Sequence, residues 1–199
     1  MIVALTGVDG DGDSAVADLA EDLAMLRVAA GKRVLLVSPN PGHYDPQLFD
    51  DLVIHATARS PDAVLARANV ILALIRPAAL QRDGCAELLA RLKFVQSANP
   101  SAQMLVAIAH GRRPLTAHQA GSVLVFVAQL PRARLADTLV LEDGGQNTYH
   151  SRHSELELPA YKQDQRLCAP EVRHLYREIF PACPNERRFA ALMPRACPI

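Results

Sequence analysis

Ile2-Val-Ala-Leu-Thr-Gly7-Val-Asp-Gly-Asp-Gly-Asp-Ser14 joins a short apolar run to a glycine-rich loop that ends in a hydroxyl residue. The run Ile2–Thr6 has the length and apolarity of a buried strand. Beyond Ser14, the residues Val16, Leu19, Ala20, Leu23, Leu26 and Val28 recur near the helical period, and Gly31 offers a C-terminal stop. The stretch therefore reads strand, glycine loop, helix. Arg33-Val-Leu-Leu-Val37 follows as a continuous apolar run, the texture that parallel strands buried on both faces require. Ser38-Pro-Asn-Pro-Gly42 breaks it.

The alternation continues outward. Leu52–Ile54 and Asn69–Ile75 read as strands, with a short helix from Ser60 to about Arg67 between them. Ala79–Phe94 is an amphipathic helix with Leu80, Leu88, Leu89 and Leu92 on its apolar side. Met104–Ala109 reads as a strand, Thr116–Leu130 as a helix and Thr138–Leu141 as a last strand. Strands separated by helices require right-handed crossovers, so a three-layer α/β/α fold with a mostly parallel sheet is expected over residues 1–145. After Gly144-Gly145 the texture changes. Residues 146–199 form a proline-rich tail, expected to be partly helical and either packed on the domain or docked on a partner. Its clear periodicity is Val172, Leu175, Tyr176, Ile179 and Phe180, and Asn185 is placed to cap a short helix carrying Phe189, Leu192 and Met193.

Composition narrows the class. Half of the 199 residues are hydrophobic, and 21 basic residues balance 21 acidic ones, which excludes a disordered or collagen-like chain. No apolar run reaches the ~20 residues of a bilayer span. The first residues lack a basic region followed by a long apolar one, so a cytoplasmic location is expected. The neutral total hides a gradient: residues 1–50 carry eight acids against three bases, a formal −5. No segment is basic enough to make nucleic acid the expected partner. The cysteines Cys85, Cys168, Cys183 and Cys197 contain no C-x-x-C pair and read as free thiols. His150-x2-His153 is the only ligand pair at zinc spacing in the tail region, where His174 also lies, so no zinc site is assigned.

Gly7, Gly12 and Ser14 stand where a G-x-x-x-x-G-K-[ST] phosphate loop places its glycines and hydroxyl. In such a loop, backbone N–H groups and the helix N-terminus cradle phosphates, and a lysine before the hydroxyl reaches the outer ones. Here the lysine position holds Asp13. At this point the chain resembles the ParA/MinD family of P-loop ATPases, which carry a deviant Walker A loop and position plasmids, chromosomes, division sites and secretion or polysaccharide machinery. The family's Lys-Gly-Gly-x-Gly-Lys-Thr/Ser is matched in place by Val8-Asp-Gly-Asp-Gly-Asp-Ser14. Gly31-Lys-Arg-Val-Leu-Leu-Val-Ser-Pro-Asn-Pro41 is similar to the family's second block. Phe49-Asp-Asp-Leu-Val-Ile-His-Ala56 and Ala68-Asn-Val-Ile-Leu-Ala-Leu-Ile-Arg-Pro77 are similar to the third and fourth. The blocks occur in order over roughly residues 1–145, with a shortened second-to-third connection.

Carried over residue by residue, the resemblance implies loss of the catalytic cycle. Val8 stands for the dimer-crossing lysine, Asp13 for the phosphate lysine, Ser38 and Asn40 for the two aspartates of the second block, and His55 for the magnesium-side aspartate. Gly10, Gly12 and the Ser14 hydroxyl remain in register. Like charges 4 Å apart repel by about 4 kcal/mol at an effective dielectric of 20, so Asp9, Asp11 and Asp13 oppose a triphosphate. The resemblance thus implies a degenerate phosphate loop (Gly7, Gly10, Gly12, Asp13, Ser14), no bound cofactor and no catalytic residue: a pseudo-ATPase.

Other readings of these residues are weaker. Asp9-x-Asp11-x-Asp13 matches the first half of a calcium loop, but its sixth position is Ser14 instead of glycine and its twelfth is Ala20 instead of glutamate. A metal held there would support an alternative, a metal-dependent nucleotide enzyme. Gly7-x2-Gly10-x-Gly12 reverses the dinucleotide spacing. Ser14, Ser38 and Cys85 have no base identifiable from sequence. Arg112-Arg113 with Arg132 and Arg134 flank the Thr116–Leu130 helix and support a second alternative, a DNA-binding accessory. The expected function is a non-catalytic binding or scaffolding component of a bacterial partition, positioning, conjugation or envelope-assembly system. Its expected partners are proteins of that system, including an active ATPase relative or a second copy.

Overall fold

Val70–Ile75 is buried at all six positions, as a strand covered on both faces must be. The computed structural model describes residues 1–8, 14–37, 45–81, 84–110, 114–141 and 170–181. Six strands are described: β1 (Ile2–Gly7), β2 (Val34–Val37), β3 (Asp51–His55), β4 (Val70–Ile75), β5 (Gln103–His110) and β6 (Ala133–Leu141). The described helices are α1 (Ser14–Ala29), α2 (Asp62–Ala66), α3 (Gly84–Ala98), α4 (Ala117–Ala128) and α5 (Pro170–Ile179). The sheet runs β2-β3-β1-β4-β5-β6, and all its pairings are parallel.

Strand periodicity sorts the side chains into two cores. Val3, Leu5, Val53, Leu72 and Leu105 face α1 and α5, whereas Ala4, Ile54, Ile71, Ile75 and Val106 face the layer of α2, α3 and α4. Crossover handedness explains the division. From β1 the chain moves toward the β2 edge, and from β3 it moves the opposite way to β6, so the connecting helices fall on opposite faces. That arrangement leaves the α1 face thinly covered near β6. Val172, Leu175, Ile179 and Phe180 of the α5 segment fill this space against Ala136 and Val140. Truncating a fully buried leucine such as Leu72 or Leu175 to alanine costs about 2–5 kcal/mol.

Helix ends follow local chemistry. Gly31 takes φ +79°, and two bonds close α1: Gly31 N–H donates to Val28 O (2.8 Å) and Lys32 N–H to Arg27 O (3.2 Å). This is the left-handed glycine cap expected from the sequence. At α4, Gln119 N–H donates to Thr116 Oγ1 (3.2 Å) and Thr116 N–H to Gln119 Oε1 (3.0 Å), a complete capping box.

Three elements differ in extent from their sequence reading. The helix expected over Ala79–Phe94 is a 3₁₀ turn (Pro77–Gln81) followed by α3. The helix expected from Ser60 begins at Asp62, after Pro61. The last strand starts at Ala133, five residues before the expected Thr138. A register shift hides its first half: Val106 pairs with Leu135 but Ile108 pairs with Leu139, so the apolar alternation breaks between them. Glu178 of α5 serves the polar groups of that irregularity. Its carboxylate accepts from Asp137 N–H (3.1 and 3.2 Å) and Thr138 Oγ1 (3.2 Å). No described helix is long and apolar enough to cross a membrane.

Candidate functional site

In an open parallel sheet, ligands bind beyond the carboxyl ends of the strands, where successive connections leave in opposite directions. Here that point lies at β1, whose connection to β2 carries α1 on one face while its neighbour β4 connects through α3 on the other. Gly7 is the last residue of β1 and Ser14 the first of α1. The structure therefore brackets residues 8–13 between a central strand and a helix N-terminus. Val8 is half-buried against the α2–α4 core.

The neighbouring strands bring further residues to this edge. His55 ends β3, half-buried, and its Cα partner is Leu5 of β1. Ala56 N–H donates to Leu5 O at 2.8 Å, extending the pairing past the end of β3. On the other side Gly7 pairs with Leu74 of β4, so Arg76 stands two residues beyond that register. Gly7, Ser14 and His55 are thus gathered at one sheet edge. Asp9, Gly10, Asp11, Gly12 and Asp13, with Ser38 and Asn40, lie outside the described residues.

The loop after His55 is clamped by a residue that the sequence did not single out. Arg91 of α3 donates to Thr57 O (2.8 Å), to Ser60 O and to Asp62 Oδ1 (2.7 Å). Thr57 N–H donates to Ser60 Oγ at 3.0 Å within the same loop. Arg91 is one of many helical arginines in sequence, and its partners lie about thirty residues upstream, so no local pattern marks it.

The other candidate residues separate from this edge. Cys85 is half-buried in the α2–α4 layer, where burial pushes its thiol pKa up and so disfavours a nucleophilic thiolate. Of the arginines weighed for DNA, Arg132 donates to Pro100 O (3.1 Å) and Arg134 lies 3.8 Å from Glu178 Oε2, while Arg112 and Arg113 lie outside the described residues. His174 belongs to α5, in an open groove of about 570 Å³ that it lines with Asp137, Thr138, Arg177 and Glu178. Among the described residues no group of three or more His, Cys, Asp or Glu is placed to hold a metal. No protein-family model matches the chain, and no curated protein matches it at a significant level.

Proposed function

We propose that the chain is a non-catalytic, ParA/MinD-like protein that binds or scaffolds other proteins of a positioning, partition, conjugation or envelope-assembly system. One observation carries this reading. The strand-to-helix connection from Gly7 to Ser14 leaves the centre of a parallel sheet, where a phosphate loop belongs, yet it contains Asp13 at the lysine position. Phosphoryl transfer depends on positioned cations, and this connection carries three aspartates and no lysine. His55, in place of an aspartate at the end of β3, removes the acidic partner that a magnesium ion would use there. A fold that keeps the outline of a nucleotide site without its charges is suited to holding partners.

Thermal unfolding with ATP and magnesium tests the reading. A ligand at a hundred times its dissociation constant stabilises by about 2.7 kcal/mol. For a chain of this size that corresponds to a rise of about 5–10 °C. The expected rise is below 1 °C by the same scale. A shift of several degrees would show that the site still binds nucleotide and overturn the reading, and phosphate release abolished by Asp13→Ala would make the protein an enzyme instead.

A further inference from the structure

The two outer strands of the sheet, β2 and β6, face the same hazard, because an edge strand presents unpaired N–H and C=O groups to any other strand. β2 has four residues, and its shortness limits what a second strand could gain there. β6 has nine and ends in the uncharged run Leu139-Val-Leu141, of which Leu139 is 42% exposed. Its irregularity frees further groups. Between the paired positions Leu135 and Leu139, β6 holds three residues where β5 holds only Ala107, so β5 cannot pair them all.

At Asp137 the freed donor is taken up by α5. Glu178, whose side chain is 12% exposed, accepts from Asp137 N–H with both carboxylate oxygens (3.1 and 3.2 Å) and from Thr138 Oγ1 (3.2 Å). Arg134 of the same strand stands 3.8 Å from that carboxylate. Val172, Leu175 and Ile179 are buried and hold the helix that carries it. The polar flank of α5 continues the cover: Glu171, His174 and Arg177 line, with Asp137 to Leu139, the open groove of about 570 Å³. A strand pairing with residues 137–139 has to enter that groove and take charged side chains of both signs out of water, which is unfavourable unless each finds a partner.

We propose that α5 guards the β6 edge. Glu178 occupies the donors that the irregularity frees, its charged neighbours close the groove, and the chain does not pair with a second copy through β6 while α5 is seated. A second copy is the partner that this edge fits once the guard is removed. A two-fold axis makes equivalent edge strands antiparallel. Arg134 and Asp137, three positions apart on one strand, then each face the opposite charge on the other copy, a favourable cross-strand pair.

The mass of the full chain, read by light scattering after size exclusion at rising concentration, tests this. The native chain is expected to show no dimer that depends on Arg134, and Glu178→Ala is expected to double in mass as concentration rises. Adding Arg134→Asp to Glu178→Ala should abolish the dimer, and adding Asp137→Arg as well should restore it. A Glu178→Ala chain that stays monomeric overturns the proposal. So does association that ignores the Arg134 and Asp137 changes, since it then runs through the exposed core under α5, or a native dimer that Arg134→Asp dissociates. Should Glu178→Ala prevent folding, Glu178→Asp keeps the charge but draws the carboxylate back by one methylene. The same doubling of mass is expected from it, and a monomer overturns the proposal equally.

Discussion

The two edges of the sheet treat charge in opposite ways. At the amino edge Asp51, only 3% exposed, is met by Arg27 Nε at 2.6 Å and the Met1 amino group at 3.1 Å. Arg27 also donates to Tyr176 Oη (3.3 Å) and lies over the Phe180 ring, which packs 4.9 Å from Tyr176. Burial alone would lower the pKa of the Arg27 guanidinium, but its hydrogen bonds to Tyr176 and Asp51 hold it above the ordinary value. At the carboxyl edge, the connection from Gly7 to Ser14 gathers three aspartates with no lysine or arginine of its own. Charge at the amino edge ties β3, α1 and α5 together. The three aspartates of the carboxyl edge lie outside the described residues, and their reversal of charge relative to a phosphate loop is read from the sequence.

The largest test of this contrast is Asp51→Ala. It strands a guanidinium whose side chain is 11% exposed, and breaking such a pair costs about 3 kcal/mol, the lower end of the usual range because Tyr176 and Phe180 remain. Differential scanning calorimetry should show a fall of about 6–12 °C in Tm; a fall within 1 °C of zero would remove the amino edge's structural role. Gly31→Ala comes next. No atom lies within 4 Å of the added Cβ, so the penalty is the left-handed φ alone, about 1 kcal/mol by chemical denaturation. At the carboxyl edge, Asp13→Lys replaces an acid by a cation directly before the first residue of α1 and is expected to cost no more than about 1 kcal/mol, the usual size of a helix-end effect. A larger loss in a urea melt would show that the acidic connection supports the fold.

The smallest effect is a pH dependence at the amino edge. Arg33 N–H and its guanidinium bond the Asp50 carboxylate and hold its pKa below the usual value. A carboxyl group depressed in the folded state contributes stability that is full above its unfolded pKa and is lost as pH falls through the folded one. The stability gap between the native chain and Asp50→Asn should therefore be present at neutral pH and close under acid, measured by urea melts across that range. A gap independent of pH would place the Asp50 contribution in geometry instead of charge.

What was legible in the sequence was local. Asn69–Ile75 announced β4, the spacing of Val172, Leu175 and Ile179 announced α5, and Gly31 announced the end of α1, whereas Arg33–Val37, read as buried on both faces, forms the edge strand β2 with Leu36 exposed. Gly7 and Ser14 likewise marked the strand and helix that bracket the candidate site. The polar contacts were not legible, because their partners are remote: Arg27 meets Tyr176 across 149 positions, and Arg91 meets Thr57 across 34. Nor was the first half of β6, where Arg134 and Asp137 interrupt an apolar pattern that the register shift had already displaced.

The late position of α5 has a consequence in time. Leu23 and Leu26 of α1 share one core with Leu175 and Ile179, which a ribosome adds about 150 residues later. At 5–20 residues per second, that interval lasts roughly 7–30 s. Within it the ribosome adds the whole α2–α4 layer, while the opposite face of the sheet still has no α5 to cover it.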